Sequence, residues 1–205
     1  MNSPPAKAAP KLGTYLVLVR GLPGSGKTTL SRKLIRSLST RFGQRAEQIN
    51  ADMFFGMRGE RFNRFLLSRA HKWCFQKAFK ALAAGTVVFV DNTFVKPEEL
   101  HEYTDESTRR GIPVLVLELN GRFTSTHAVP EATLKDMAAN FWTIPAEDIQ
   151  PAGVSDPHFQ QLSQALRHVS SSSKPSLLKP AIKLVTISDE QSNSVSLEKR
   201  AMAMT

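Results

Sequence analysis

The chain has 205 residues, 41% hydrophobic and 22% charged, which suits one α/β domain with a real core and ragged ends. Its single cysteine, Cys74, excludes an internal disulfide and points to a reducing compartment, and its longest apolar runs are far too short to span a bilayer. The net charge of +9 is unevenly placed: residues 20–80 hold 14 of the 27 basic residues against only Glu47, Asp52 and Glu60.

Residues 1–13 include Pro4, Pro5 and Pro10 and show neither a helix nor a strand period, so they are expected to be disordered. They lack the apolar core of a signal peptide, and the expected location is the cytoplasm. Residues 15–19 form a continuous apolar run, the look of a strand buried on both faces of a parallel sheet. That run feeds a glycine-rich loop. Residues 28–42 follow as a helix with Leu30, Leu34 and Leu38 on one stripe. A short strand is expected over 46–50. A long helix over 63–84 should place Leu66, Ala70, Trp73 and Lys77 along one face. His71 and Trp73 have core-like spacing, and Cys74 reads as a small buried hydrophobe.

A third strand over 86–90 ends in Asp91-Asn92-Thr93. Pro97 opens a helix to residue 110, with Gly111 as its stop. Residues 114–119 make a fourth strand and 130–141 a further helix. This alternation predicts an α/β P-loop NTPase fold, a parallel sheet with crossover helices over residues 14–150. Residues 151–170 offer an additional helix with Phe159, Leu162 and Leu166 on one face. Serines 170–173, Pro175 and Pro180 then mark a polar tether, and 171–205 is expected to be a mostly disordered tail able to bind a protein partner. Within it, residues 182–187 could form an isolated strand or add to the sheet edge.

The strongest chemical signal is Gly21-Leu22-Pro23-Gly24-Ser25-Gly26-Lys27-Thr28, a complete G-x-x-x-x-G-K-[ST] pattern between a strand and a helix. Glycines let backbone N–H groups turn inward around phosphate oxygens, and the helix N-terminus adds its positive dipole end. Gly21, Gly24, Ser25, Gly26, Lys27, Thr28 and Thr29 are therefore the expected ATP-binding residues, with Lys27 reaching the terminal phosphates and Thr28 ligating Mg²⁺. Asp91, closing a strand at the nucleotide crevice, is the second expected Mg²⁺ residue; its alternative is a turn-shaping role. Asp52 follows the second strand on the same sheet edge and suits a general base for an incoming hydroxyl, or an Asx-type turn. The basic segment suits a nucleic-acid partner, or solvated helix faces beside a triphosphate site.

The ordered set of Gly21 to Thr29, Asn50-Ala51-Asp52, Asp91-Asn92-Thr93 and His127-Ala128-Val129-Pro130 resembles the kinase family that includes phage 5′-hydroxyl polynucleotide kinase. The resemblance covers roughly residues 15–142. It extends to small AAA-labelled P-loop relatives and to the N-terminal domain of cyclic-nucleotide phosphodiesterase. It implies Asp52 as general base toward the acceptor hydroxyl, with an acidic residue at or beside Asp91-Asn92 supporting the site. Three positions depart from the family pattern: Phe55 stands where an acceptor-clamping Arg is usual, Thr124 where a lid Arg is usual, and Phe94 where an Asn is usual. Arg122 is the expected substitute for the lid Arg, and Arg58 or Arg61 for the clamp. His127 is expected to link lid and helix structurally. The resemblance implies transfer of the ATP γ-phosphoryl to a 5′-hydroxyl of RNA or DNA. A small-molecule kinase and a nucleotide-binding interaction module with weak turnover are the alternatives.

Overall fold

The computed structural model describes residues 13–56, 62–121, 129–145, 156–171 and 182–185. Strands β1 (Leu16–Arg20), β2 (Ala46–Ile49), β3 (Val87–Val90) and β4 (Val114–Leu119) run parallel, in the order β2-β3-β1-β4. Central β1 pairs Leu16 with both Val88 and Val114, and every one of its residues is buried. Because successive side chains point to opposite faces, β1 serves two cores. Leu16 and Leu18 pack toward helices α2 (Leu67–Ala83) and α3 (Pro97–Arg109). Val17 and Val19 pack toward α1 (Lys27–Phe42).

Helix α1 buries the expected stripe of Leu30, Leu34 and Leu38 and stops at Gly43, whose left-handed backbone (φ 60°) returns its N–H to the carbonyls of Leu38 and Ser39. The expected 63–84 helix is interrupted at its start. Asn63 accepts from Phe65 N at 2.9 Å and caps a 3-10 turn, Arg64–Leu66, before α2 begins. The face of α2 also differs from expectation. Ala70, Cys74, Ala78, Phe79 and Leu82 are buried, whereas Lys77 is exposed, with its ammonium 4.7 Å from the Trp73 ring centroid. Small residues at i, i+4 and i+8 let the helix sit close on the sheet, and the larger Trp73 is left half-buried at the margin.

Helix α4 (Glu131–Ala139) is shorter than expected because Phe141 and Trp142 leave it to pin a following segment; Trp142 N donates to Val95 O at 2.8 Å. Helix α5 (Pro157–Ser171) is capped by the Asp156 carboxylate, which accepts from His158 N and Phe159 N. Leu162, Ala165 and Val169 join the α1 core, and Tyr15 donates to Gln161 at 3.0 Å. The additional helix is thus part of the same core. Inside the expected tail, β5 (Ile182–Val185) pairs antiparallel with β4, the edge-strand alternative; the other residues from 172 on lie outside the described residues, as do residues 1–12. Among the described residues no helix is long and apolar enough to cross a membrane. The fold brings the loops after β1, β2 and β3 to one sheet edge, at the carboxyl ends of parallel strands where ligands of open α/β sheets bind.

Candidate functional site

The loop after β1 is shaped by its glycines. Gly21 has φ 146°, and a Cβ there would lie 2.5 Å from Leu119 O and 2.6 Å from Ser25 Oγ, so only hydrogen fits. Its N–H donates to Thr93 O at 3.2 Å, tying the loop to the segment after β3. Gly26 occupies the N-cap of α1 at φ 92°, and so turns the chain into the helix with no side-chain cap over the first N–H groups. Those free donors and the helix dipole favour an anion. Thr29 is exposed, whereas Ser25 is buried and its hydroxyl meets no hydrogen-bond partner among the described residues.

The Lys27 ammonium folds back over the loop, donating to Gly21 O (2.7 Å) and Leu22 O (2.9 Å). Burial lowers its pKa to about 8, and the carboxylates of Asp91 and Asp52 push it back upward. A partly dehydrated cation held by two neutral carbonyls, with a donor to spare, fits the terminal phosphates of a nucleotide.

Asp91 is almost completely buried, just past β3. Thr28 Oγ1 donates to its Oδ2 at 2.8 Å, Gln48 Nε2 to the same oxygen at 2.6 Å, and Asn50 Nδ2 to Oδ1 at 3.0 Å. Burial raises its pKa, and these three hydrogen bonds and Lys27 counter the rise. The paired hydroxyl and carboxylate are hard oxygen donors, the kind Mg²⁺ takes. Among the described residues no group of three or more His, Cys, Asp or Glu could hold a metal ion.

Asp52 is exposed in the first turn of a second 3-10 segment, Ala51–Phe55. Two side-chain bonds hold this turn against β3: Asn50 to Asp91, and Ala51 N to Asn92 Oδ1 at 3.0 Å. Asn50 also caps the turn, accepting from Met53 N at 3.1 Å. The neighbours Asp91 and Asn92 point to opposite sides, Asp91 to the glycine loop and Asn92 into the α2 core, where it reaches Cys74 Sγ at 3.6 Å. The carboxylate beside Thr28 is therefore the one at position 91. Cys74 is buried, and burial raises its thiol to about 11, so it is inert packing.

The fold gathers Gly21, Gly24, Ser25, Gly26, Lys27, Thr28, Asp52 and Asp91 at one edge. Arg122, Arg58, Arg61, Thr124 and His127 lie outside the described residues. Phe55 is buried in the α2 core, and Phe94 is buried with φ 48° against Tyr103. The left-handed region is one where Asn is enriched and bulky side chains are rare, so Phe94 holds a backbone conformation unusual for its type. The sequence assigned no role to Gln48, to Asn50 of the Asn50-Ala51-Asp52 motif, or to Arg20; the first two meet Asp91, about forty residues away. Arg20 is fully buried beside Gly21. It donates to Trp142 O at 2.6 Å, lies 3.4 Å from Glu118, and stacks 4.2 Å from the Phe141 ring centroid. Its only sequence signal is a charge ending an apolar strand.

The chain is similar to one family of known proteins and to several individual ones. The model of the AAA domain family matches residues 16–121. Human NEDD4-binding protein 2 is 31% identical over 109 residues, which are 52% of this chain and 6% of that protein, so the chain spans a small part of this curated relative. Kti12 of Chaetomium thermophilum, solved in complex with ADP-AlF3, superposes with a TM-score of 0.56 at 17% identity, over 76% of this chain and 97% of that one. The Mycobacterium tuberculosis APS kinase CysC in complex with AMPPNP and APS gives 0.48 at 16% identity, over 76% and 98%. The likeness to Kti12 shows a shared P-loop α/β fold.

Proposed function

The chain belongs to the AAA domain family, and from that premise we propose an ATP-dependent phosphotransferase that moves the γ-phosphoryl group to a 5′-hydroxyl of RNA or DNA. The observation that supports this reading is the convergence of Lys27, Asp91 and an exposed Asp52 on one site, with Lys27 feeling both carboxylates. Nucleotide binding alone needs the first two. An exposed carboxylate on a rigidly stapled turn beside them serves an acceptor.

In this reading the glycine loop and Lys27 hold the triphosphate, and Thr28 and Asp91 hold Mg²⁺. When bound, the cation neutralises phosphate charge and orients the terminal phosphates. Asp52 accepts the proton of the acceptor hydroxyl as its oxygen bonds to the γ-phosphorus and the bond to the β-phosphate oxygen breaks, releasing ADP. Arg122 is assigned the lid cation on sequence grounds alone. A cytoplasmic setting suits the single unpaired thiol. The deciding experiment is incubation with γ-labelled ATP and Mg²⁺ and 5′-hydroxyl oligonucleotides. Label on the oligonucleotide is the expected result, and label released only as free phosphate rejects the acceptor assignment. One observation favours an interaction module with weak turnover. Phe55, at the position of the family's acceptor clamp, is buried and offers no cation.

The lowered pKa of Lys27 makes a further expectation testable. Phosphates raise the pKa of a touching ammonium, so above about pH 8 the free protein must take up a proton to bind. Affinity for a non-hydrolysable ATP analogue should be flat from pH 7 toward 8. It should then fall by up to about tenfold per pH unit. Calorimetry across pH 7 to 9 reads this directly, and a flat profile to pH 9 removes Lys27 from the phosphates.

A further inference from the structure

Among the described residues, the large apolar side chains left open to solvent gather in one stretch: Met53 (40% exposed), Phe62 (58%), Phe65 (80%) and Leu67 (36%). They lie in or beside two 3-10 turns that pack on α2. The Phe55 ring lies 5.3 Å from Phe62 and the Phe54 ring 6.1 Å from Trp73, and Leu66 joins the same core. Asp52 precedes Met53 in the first of these turns. Exposed aromatic side chains at this density mark a surface that something covers.

Charge says what covers it. Residues 62–83 contain five Lys and Arg residues and no Asp or Glu. Arg69 and Lys72, spaced i, i+3 on α2, are exposed on the side away from the buried Ala70, Cys74 and Ala78, and Phe65 is exposed in the 3-10 turn that leads into the helix. The Arg64 guanidinium lies 4.9 Å from the Phe65 ring centroid. Neighbouring α3, packed on α2 through Tyr103 against Phe75 and Phe79, carries five carboxylates and one arginine. The positive stripe is therefore bounded on that side by repulsive charge. Two copies docked stripe to stripe would set cations against cations. A strand with unpaired bases matches both features, offering ring faces to phenylalanines and phosphates to cations.

We propose that these turns and the outer stripe of α2 form a platform for single-stranded nucleic acid, leading the strand's end to Asp52. Phe65 and Phe62 stack on bases, and Arg69 and Lys72 hold phosphates. The inference rests on the reading of Asp52 as the acceptor's base, and it deepens that reading by naming where the acceptor strand lies.

The test is fluorescence anisotropy of the full chain with a short labelled single strand and with its duplex. The parent protein is expected to prefer the single strand. Phe65→Ala should weaken single-strand binding about tenfold, the loss of one base stack, while Phe65→Trp retains it. Arg69→Ala with Lys72→Ala should flatten the plot of log affinity against log salt by about 1.4, two single-strand phosphates. The exposure of Phe65 predicts an unchanged thermal melt; should Phe65→Ala destabilise the protein, Phe65→Trp and the Arg69/Lys72 pair carry the test. Unchanged affinity in all variants, or equal affinity for duplex and single strand, overturns the platform. So does sedimentation showing a dimer that Phe65→Ala dissociates. The kinase reading is separable: label transfer to a small hydroxyl compound without strand binding ends the platform and leaves the phosphotransferase. Strand binding through Phe65 without transfer does the reverse.

Discussion

Asp52→Asn should slow phosphoryl transfer about a hundred- to ten-thousand-fold, the usual loss for a positioned base, while Mg-ATP affinity stays within about twofold of the parent. The substitution keeps the shape of the side chain and removes its negative charge and its ability to accept a proton. The turn that carries it is fixed by other groups, namely Asn50 on Met53 N and Asp91, and Asn92 on Ala51 N. Asp52 is exposed, so no packing is lost. Its carboxylate pushes the Lys27 pKa upward, which places it within electrostatic reach of the phosphate-binding cation. Removing that negative charge should, if anything, tighten nucleotide binding slightly. Single-turnover transfer of labelled phosphate, paired with calorimetry, separates the two effects. A parental transfer rate in the Asn variant makes Asp52 a turn-shaping residue, and a matched loss of affinity makes it part of the nucleotide site.

Lys27→Met should weaken Mg-ATP binding roughly ten- to a hundred-fold, the magnitude of one or two charge-assisted hydrogen bonds, and ADP binding much less. The difference arises because the ammonium is assigned to the terminal phosphates. Stability should move the other way. Burial lowers the pKa of Lys27 to about 8, so near neutral pH the fold carries a dehydrated cation. An apolar side chain of similar length removes that burden, and the melting temperature without nucleotide should hold or rise. The rise in melting temperature that ATP confers on the parent should largely vanish, since ligand stabilisation follows affinity by mass action. Equal ATP stabilisation in variant and parent would dismiss the phosphate-cradle assignment.

Local pattern alone carried a good part of this protein. The glycine loop was legible because its function depends on backbone conformations that few residue types permit, and Gly21 does sit where a Cβ cannot. The continuous apolar runs of β1, β3 and β4 and the Leu30-Leu34-Leu38 stripe were legible because an unbroken short run marks a strand buried on both faces and a period of 3.6 marks one buried helix face. Tertiary structure decided what periodicity does not encode. Gln48 and Asn50 meet Asp91 only because β2 and β3 are neighbours in the sheet, a matter of strand order between distant segments. Arg20 reads as a surface charge until the chain after α4 returns to cover it with Phe141 and Trp142. The split of Asp91 and Asn92 to opposite sides, the burial of Phe55 and the exposure of Phe65 follow from how the 3-10 turns dock on α2. Residue type states what a side chain is able to do; long-range packing places it beside a phosphate, inside a core, or in water.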